Sequence, residues 1–171
     1  MRCSPSWSLL SLILVCAAQA GCAGTPAVTK VSNWIPGWPA KPSQTLDAQL
    51  SLGRLSERHG DSGTAERIYQ AVLKKDPQNQ LAHHRLGVLA AKRGQLDQAA
   101  GYLDAAAQLG PPSGALLNDI GFNLLMMDRL PEAEATFRRA LEIEPQNRSA
   151  HNNLGLVLGQ TGRYEESLAQ F

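Results

Sequence analysis

Four dipeptides, Leu52-Gly53, Leu86-Gly87, Ile120-Gly121 and Leu154-Gly155, recur at a constant spacing of 34 residues. Other columns keep the same register. Ala65, Ala99 and Ala133 form one, with Ser167 in the fourth place. Tyr69, Leu103, Phe137 and Phe171 form a second, and Val72, Ala106 and Ala140 a third. Pro77, Pro111 and Pro145 form a fourth. So many columns in one register do not arise by chance. From residue 46 onward the chain is an internal repeat, and a repeat that cannot bury its apolar face alone must stack on its neighbours.

Each period reads as two antiparallel helices. Glycine at the eighth place and alanine at the twentieth let the pair approach closely, while Leu52, Leu86, Tyr69 and Phe137 are expected to fill the space between them. Gly60, Gly94 and Gly162 mark the turns inside repeats one, two and four, and Asp128 takes that place in repeat three. Pro131 falls near a helix start, where its missing N–H costs nothing. The proline column then stops each second helix. This 34-residue pattern resembles the tetratricopeptide repeat. The resemblance implies an all-α fold, a tetratricopeptide-repeat superhelix (α-solenoid) of antiparallel helix pairs, with repeats at 46–79, 80–113, 114–147 and 148–171. The fourth repeat is cut short in its second helix, so a fragment of a longer chain, or a partner covering that end, is expected.

Composition agrees with a helical reading. Hydrophobic residues make up 43 % of the 171 and aromatics only 5 %, which suits Ala- and Leu-rich helices better than a β-sandwich. The formal net charge is +1, without the basic excess of a nucleic-acid-binding surface. No nucleic-acid partner is expected. The cysteines are Cys3, Cys16 and Cys22, so the repeats hold neither a disulfide nor a Cys-ligated zinc.

Residues 1–21 read as an export signal. Arg2 and the amino terminus are the positive end, Trp7 to Ala18 is mostly apolar, and Ala18-Gln19-Ala20 is a small-x-small cleavage site. Gln19-Ala20-Gly21-Cys22 resembles a bacterial lipobox, with Gln19 where Leu or Val is usual. Cleavage after Ala20 would release a soluble chain. Cleavage before an acylated Cys22 would leave a membrane anchor, held by about 0.8 kcal/mol per buried CH₂. Ala23 rather than Asp after the cysteine implies the outer membrane if the host is Gram-negative. Residues 22–45, with Pro26, Pro36, Pro39 and Pro42, read as an extended linker. Its Trp34 and Trp38 are either docking anchors or a cover for the end of the first helix.

Little in the repeats reads as chemistry. His83 and His84 are adjacent and point to different faces, and no metal-ligand spacing occurs among His59, His83, His84 and His151. No P-loop, G-x-G-x-x-G or G-x-S-x-G motif is present. Glu132, Glu134, Glu142 and Glu144 read as a solvated helix face, Met126-Met127 as packing, and the Asn147-Arg148-Ser149 triplet as accidental. No cofactor and no catalysis are expected.

The resemblance directs attention to a concave groove lined by the first helices. Carried over by register, it implies Arg54 and Arg58 in repeat one, and His84, Val88, Lys92 and Arg93 in repeat two. It implies Asn118 and Phe122 in repeat three, and Asn152 and Leu156 in repeat four. That groove would be basic at its amino-terminal half and apolar with amides beyond, fitting a partner segment that is acidic at one end and apolar at the other. The clamp with which some such domains grip a C-terminal carboxylate is absent, since Leu50, Arg54, Arg85, Ala115 and Asp119 occupy its places. Together the lipobox, linker and repeats imply a non-catalytic, membrane-anchored scaffold in a cell-envelope assembly. They resemble the pilus-assembly lipoproteins of the Tad/Flp type. The alternatives are the substrate-recruiting region of a longer enzyme and a soluble periplasmic adaptor.

Overall fold

A computed structural model describes residues 45–171 of the chain, and the signal, Cys22 and the two linker tryptophans lie outside the described residues. Eight helices follow one another: α1 Leu46–Arg58, α2 Ser62–Lys75, α3 Gln80–Lys92, α4 Leu96–Gln108, α5 Gly114–Met126, α6 Leu130–Ile143, α7 Arg148–Gln160 and α8 Tyr164–Leu168. No strand occurs among the described residues. The all-α class expected from the repeat is what the chain adopts. Each odd-numbered helix packs on the even-numbered one after it, and each pair packs on the next. The odd-numbered helices also touch one another, α3 against α5 and α5 against α7.

Local chemistry sets the helix ends. Every odd-numbered helix starts on a side-chain cap. Thr45 Oγ1 accepts from Ala48 N–H at 3.2 Å, Asn79 Oδ1 from Ala82 at 3.0 Å, Ser113 Oγ from Leu116 at 3.1 Å and Asn147 Oδ1 from Ala150 at 3.0 Å. Each cap satisfies one of the orphan donors of the first turn and contributes roughly 1 kcal/mol. Asn147 is therefore a helix cap, which accounts for its triplet.

The same helices end on a left-handed residue. Gly60, Gly94 and Gly162 have φ of 78°, 74° and 78°, and Asp128 has φ of 60°. The residue after each donates back to the helix. Asp61 N–H reaches Ser56 O at 2.9 Å, Gln95 reaches Ala90 at 3.0 Å, Arg129 reaches Leu124 at 2.9 Å and Arg163 reaches Leu158 at 2.9 Å. These are Schellman closures, which reverse the chain within a few residues. Asp at 128 works because a short polar side chain tolerates the left-handed region better than most.

The core lies between the helices of each pair. A Cβ placed on Gly53 would sit 2.6 Å from Tyr69 Cε1, on Gly87 2.7 Å from Leu103 Cγ, on Gly121 2.7 Å from Phe137 Cε1 and on Gly155 2.7 Å from Phe171 Cζ. Each glycine thus seats the large residue 16 positions later directly on its backbone. Ala65, Ala99 and Ala133 are wholly buried beside them, as are Val72, Ala106 and Ala140.

Two packing expectations fail. Leu52 is 45 % exposed, although its register mates Leu86 and Leu154 are buried. That column packs against the preceding pair, and among the described residues nothing precedes α1. Met126 is 55 % exposed and so serves no core.

The glycine contacts generate a paired test. Gly121→Leu would force a side chain into the Phe137 ring and should cost about 1–3 kcal/mol, typical of overpacking. A Cβ on Gly101 in α4 would meet nothing within 4 Å. Gly101→Ala should therefore stabilise by up to about 1 kcal/mol through helix propensity. Denaturant melts that move in opposite directions are the expected result.

Candidate functional site

The odd-numbered helices wall two adjoining recesses. The first has a volume of about 780 Å³ and opens between α1, α3 and the start of α5. Arg54, Arg58, His84 and Lys92 line it. The second, about 330 Å³, lies between α3, α5 and α7 and is lined by Val88, Lys92, Asn118, Phe122 and Asn152. Lys92 borders both, so the two recesses adjoin. Phe122 is 41 % exposed there and does not insert between helices.

The remaining register-derived residues fall elsewhere. Arg93 is the C-cap of α3, and its guanidinium donates to Glu66 of α2 at 2.6 Å. The strict 34-residue count puts Ala91 and Lys92 in the last two groove columns, so Arg93 lies one place beyond them. A helix turns about 100° per residue, and that single step moves the side chain off the groove wall. Leu156 is 49 % exposed on α7, outside both recesses.

Two groove residues are already engaged. His84 Nε2 lies 2.6 Å from Asp119 Oδ2, and Asn118 Oδ1 accepts from Asn153 Nδ2 at 3.0 Å. Both bonds join the fifth place of one repeat to the sixth of the next, a separation of 35 residues. Side chains read as ligands for a partner thus also stitch the groove floor. Polar pairs one residue out of step with the repeat were the only signal for them in the sequence.

A third stitch sits under the first recess. Glu57 on α1 accepts from Tyr69 Oη at 2.6 Å and from Arg85 Nε at 2.9 Å, and a second Arg85 nitrogen completes a bidentate pair. The Glu57 side chain is only 6 % exposed. Burial pushes its carboxyl up, but the bonds from Arg85 and Tyr69 and the nearby positive charge outweigh this and hold it below the ordinary value. Burial, then the hydrogen bond to Glu57, raises the Tyr69 phenol. Arg85, whose chief influence is Glu57, is held more firmly protonated.

The other ion pairs lie on even-numbered helices and inter-helix turns. Glu134 meets both Arg138 and Arg163 at 2.5 Å, Arg163 also holds Glu166, and Arg129 pairs with Glu132. The carboxylates of α6 are more than a solvated face, since Glu134 ties α6 to the start of α8. Among the described residues no cluster of three or more His, Cys, Asp or Glu could hold a metal ion.

A profile of the tetratricopeptide repeat matches residues 50–114 and 123–171. The chain belongs to the tetratricopeptide repeat family. It is 36 % identical over 128 residues to the protein O-mannosyl-transferase Tmtc1 of Drosophila melanogaster, covering 72 % of this chain and 15 % of that one. It is 35 % identical over 125 residues to the TPR repeat-containing protein PA4299 of Pseudomonas aeruginosa, covering 71 % of this chain and 49 % of that one. The chain therefore spans half or less of these relatives. Among solved structures it resembles the O-GlcNAc transferase of Thermobaculum terrenum (mutant K341M), with TM-score 0.66 and 29 % identity over 70 % of this chain and 23 % of that one. It also resembles MamA, with TM-score 0.61 and 26 % identity over 70 % of each. YrrB, described as a TPR protein with an unusual peptide-binding site, shares the fold at TM-score 0.63 and 20 % identity, over 74 % of this chain and 65 % of its own. Tetratricopeptide-repeat grooves generally bind peptides or proteins. Such repeats occur in enzymes as well as in non-catalytic proteins.

The Glu57 stitch carries a pH dependence. A carboxyl whose folded value is lowered from 4.5 contributes stability that is fully present above that value and is lost as the pH falls through the lower one. Glu57→Gln should cost about 1–2 kcal/mol at pH 7, hydrogen bonds to charged groups being discounted for partial solvent access. Its denaturation midpoint should also fall less steeply than that of the wild type between pH 5 and pH 3. Parallel pH profiles would show that the pair does not couple α1 to α3.

Proposed function

We propose that this chain is a non-catalytic protein-interaction scaffold, tethered to a membrane through acylated Cys22, that holds partner segments in the groove of its odd-numbered helices within a cell-envelope assembly. The observation that carries the reading is the groove itself. Its two adjoining recesses run across α1, α3, α5 and α7, with cations and an exposed aromatic ring on their walls. A surface of this kind supplies charge complementarity and apolar contact to an extended segment.

Tethering is supported by the lipobox-like Gln19-Ala20-Gly21-Cys22 and the proline-containing linker behind it. No helix among the described residues is long and apolar enough to cross a membrane, so in this reading the acyl chains supply the attachment. A role in a pilus or secretion-type assembly is the narrower form of the proposal, and it rests on the resemblance to Tad/Flp lipoproteins.

A second reading has its own support. The likeness to Tmtc1 and to O-GlcNAc transferase joins this chain to enzymes that carry repeats of this family. In that case the groove would recruit the substrate of a catalytic domain in the same protein.

Cys22 decides the tethering. The wild-type gene and Cys22→Ser, expressed in a Gram-negative host fed an alkyne-bearing fatty acid, should differ sharply. The wild type should take up label, gain the mass of its acyl groups and sediment with membranes. The variant should do none of these. Unlabelled wild-type protein in the soluble fraction, with a new amino terminus at Gly21, would replace the anchor with the soluble adaptor.

A further inference from the structure

The groove sorts its charges in a way that specifies its occupant. Of the cations on or near it, Arg85 is committed to Glu57 and Arg93 to Glu66. Arg54, Arg58 and Lys92 are exposed and make no ion pair among the described residues, although the Lys92 charge helps to lower Glu57. These three line the first recess together. Its one acidic wall residue, Glu57, is neutralised by the Arg85 fork. The recess therefore presents an uncompensated positive field.

The second recess differs. Val88 and the exposed Phe122 ring supply apolar wall, and Asp119, its one carboxylate, is engaged by His84 and by Asn118 Nδ2 at 3.3 Å. Asn152 is exposed on α7 and makes no side-chain bond among the described residues, so its amide is free to bond a peptide backbone.

We infer that the groove takes an extended protein segment bearing adjacent carboxylates and, about three residues away, a large apolar side chain. This rests on the scaffold reading and adds the chemistry of the partner. The carboxylates lie over Arg54, Arg58 and Lys92, and the apolar side chain lies against Val88 and Phe122. The spacing follows from geometry. Packed helices are about 8–10 Å apart and the odd-numbered helices meet less closely than that, so moving from the α1–α3 recess to the next spans at least about three residues of extended chain at about 3.3 Å each. Lys92, on the border, is reached by both halves of the segment.

The test uses the full-length chain and fluorescein-labelled synthetic octapeptides read by anisotropy. The parent peptide carries two adjacent glutamates, two alanines, then leucine and phenylalanine, with glycine at each end. A second has the reverse order, because the groove fixes the spacing and not the chain direction. Glutamate→glutamine and leucine/phenylalanine→serine versions serve as controls.

One of the two orders should bind. Both of its control versions should bind about tenfold more weakly or worse, and affinity should fall with added NaCl. Arg54→Glu and Lys92→Glu should each weaken binding by about tenfold, a change set by charge reversal at the contact. Arg93→Ala should leave it within about twofold, because that side chain faces Glu66. Phe122→Ala should weaken the parent peptide and leave the serine control unchanged. All four positions are exposed, and unchanged circular-dichroism melts would exclude unfolding as the cause.

Equal binding of parent and controls, no binding of either order, or indifference to Lys92→Glu would each overturn the inference. A random-sequence peptide array on the same protein separates this failure from a wider one. Groove-dependent capture of other sequences would leave the scaffold intact with a different code. No capture sensitive to groove substitutions would remove the groove reading as well.

Discussion

The close approach of the two helices in each repeat governs everything built on them. It depends on one steric fact: a hydrogen rather than a carbon at Gly53, Gly87, Gly121 and Gly155. With a Cβ absent, the ring or branched side chain opposite rests on bare backbone, and Tyr69, Leu103 and Phe137 become fully buried or nearly so. Burying such a side chain is worth roughly 1.5–3 kcal/mol, which offsets the propensity penalty of about 1 kcal/mol for glycine inside a helix. The close pair leaves the odd-numbered helices with one face for their partner and another for open solvent. That second face is the groove wall.

Stacking then needs interactions between repeats, and here polar bonds assist the apolar ones. Glu57 with Arg85, His84 with Asp119 and Asn118 with Asn153 each cross from one odd-numbered helix to the next. Individually these are modest in free energy, because each exchanges bonds to water for bonds to protein. Their geometric effect is larger. They fix the lateral spacing of α1, α3, α5 and α7, and so fix the distance between groove subsites. The same bonds take His84 and Asn118 partly out of service as ligands.

The pair architecture was legible in the sequence because its determinants repeat by translation. A small residue opposite a large one, with a turn residue and a proline at fixed offsets, has few structural alternatives. Asp128 is legible as a turn residue for the same reason, while its left-handed φ is not. Leu52 was misplaced because translation assumes a preceding repeat to cover it, and none lies among the described residues. The N-cap column at 45, 79, 113 and 147 went unread because Thr, Asn, Ser and Asn satisfy one backbone donor equally well, so its chemistry is constant while its letters are not. The groove was legible only as a face. Arg93 was lost to a one-residue step, and His84 and Asn118 stand in a column that serves both stitching and binding, which register cannot distinguish.

The net charge of +1 conceals a division that the fold produces. Outside the groove, four arginines find carboxylates: Arg138 and Arg163 share Glu134, Arg129 meets Glu132, and Arg93 meets Glu66. Within the first recess the only acid, Glu57, is silenced by the one arginine able to form a bidentate fork with it. Other cations, Arg67, Lys74, Lys75, Arg139 and Arg148, also make no ion pair among the described residues but lie outside this recess. Arg54, Arg58 and Lys92 sit on one wall although the chain as a whole is nearly neutral. Clustered like charges repel and do not help the fold. Low dielectric helix walls and limited solvent access enlarge their field inside a concave surface. An acidic segment arriving there gains Coulomb energy without having to break any ion pair already made. In the first recess Arg54, Arg58 and Lys92 stand apart from the ion pair that joins α1 to α3, so their charge can change without breaking that pair, whereas His84 and Asn118 cannot change without touching the stack.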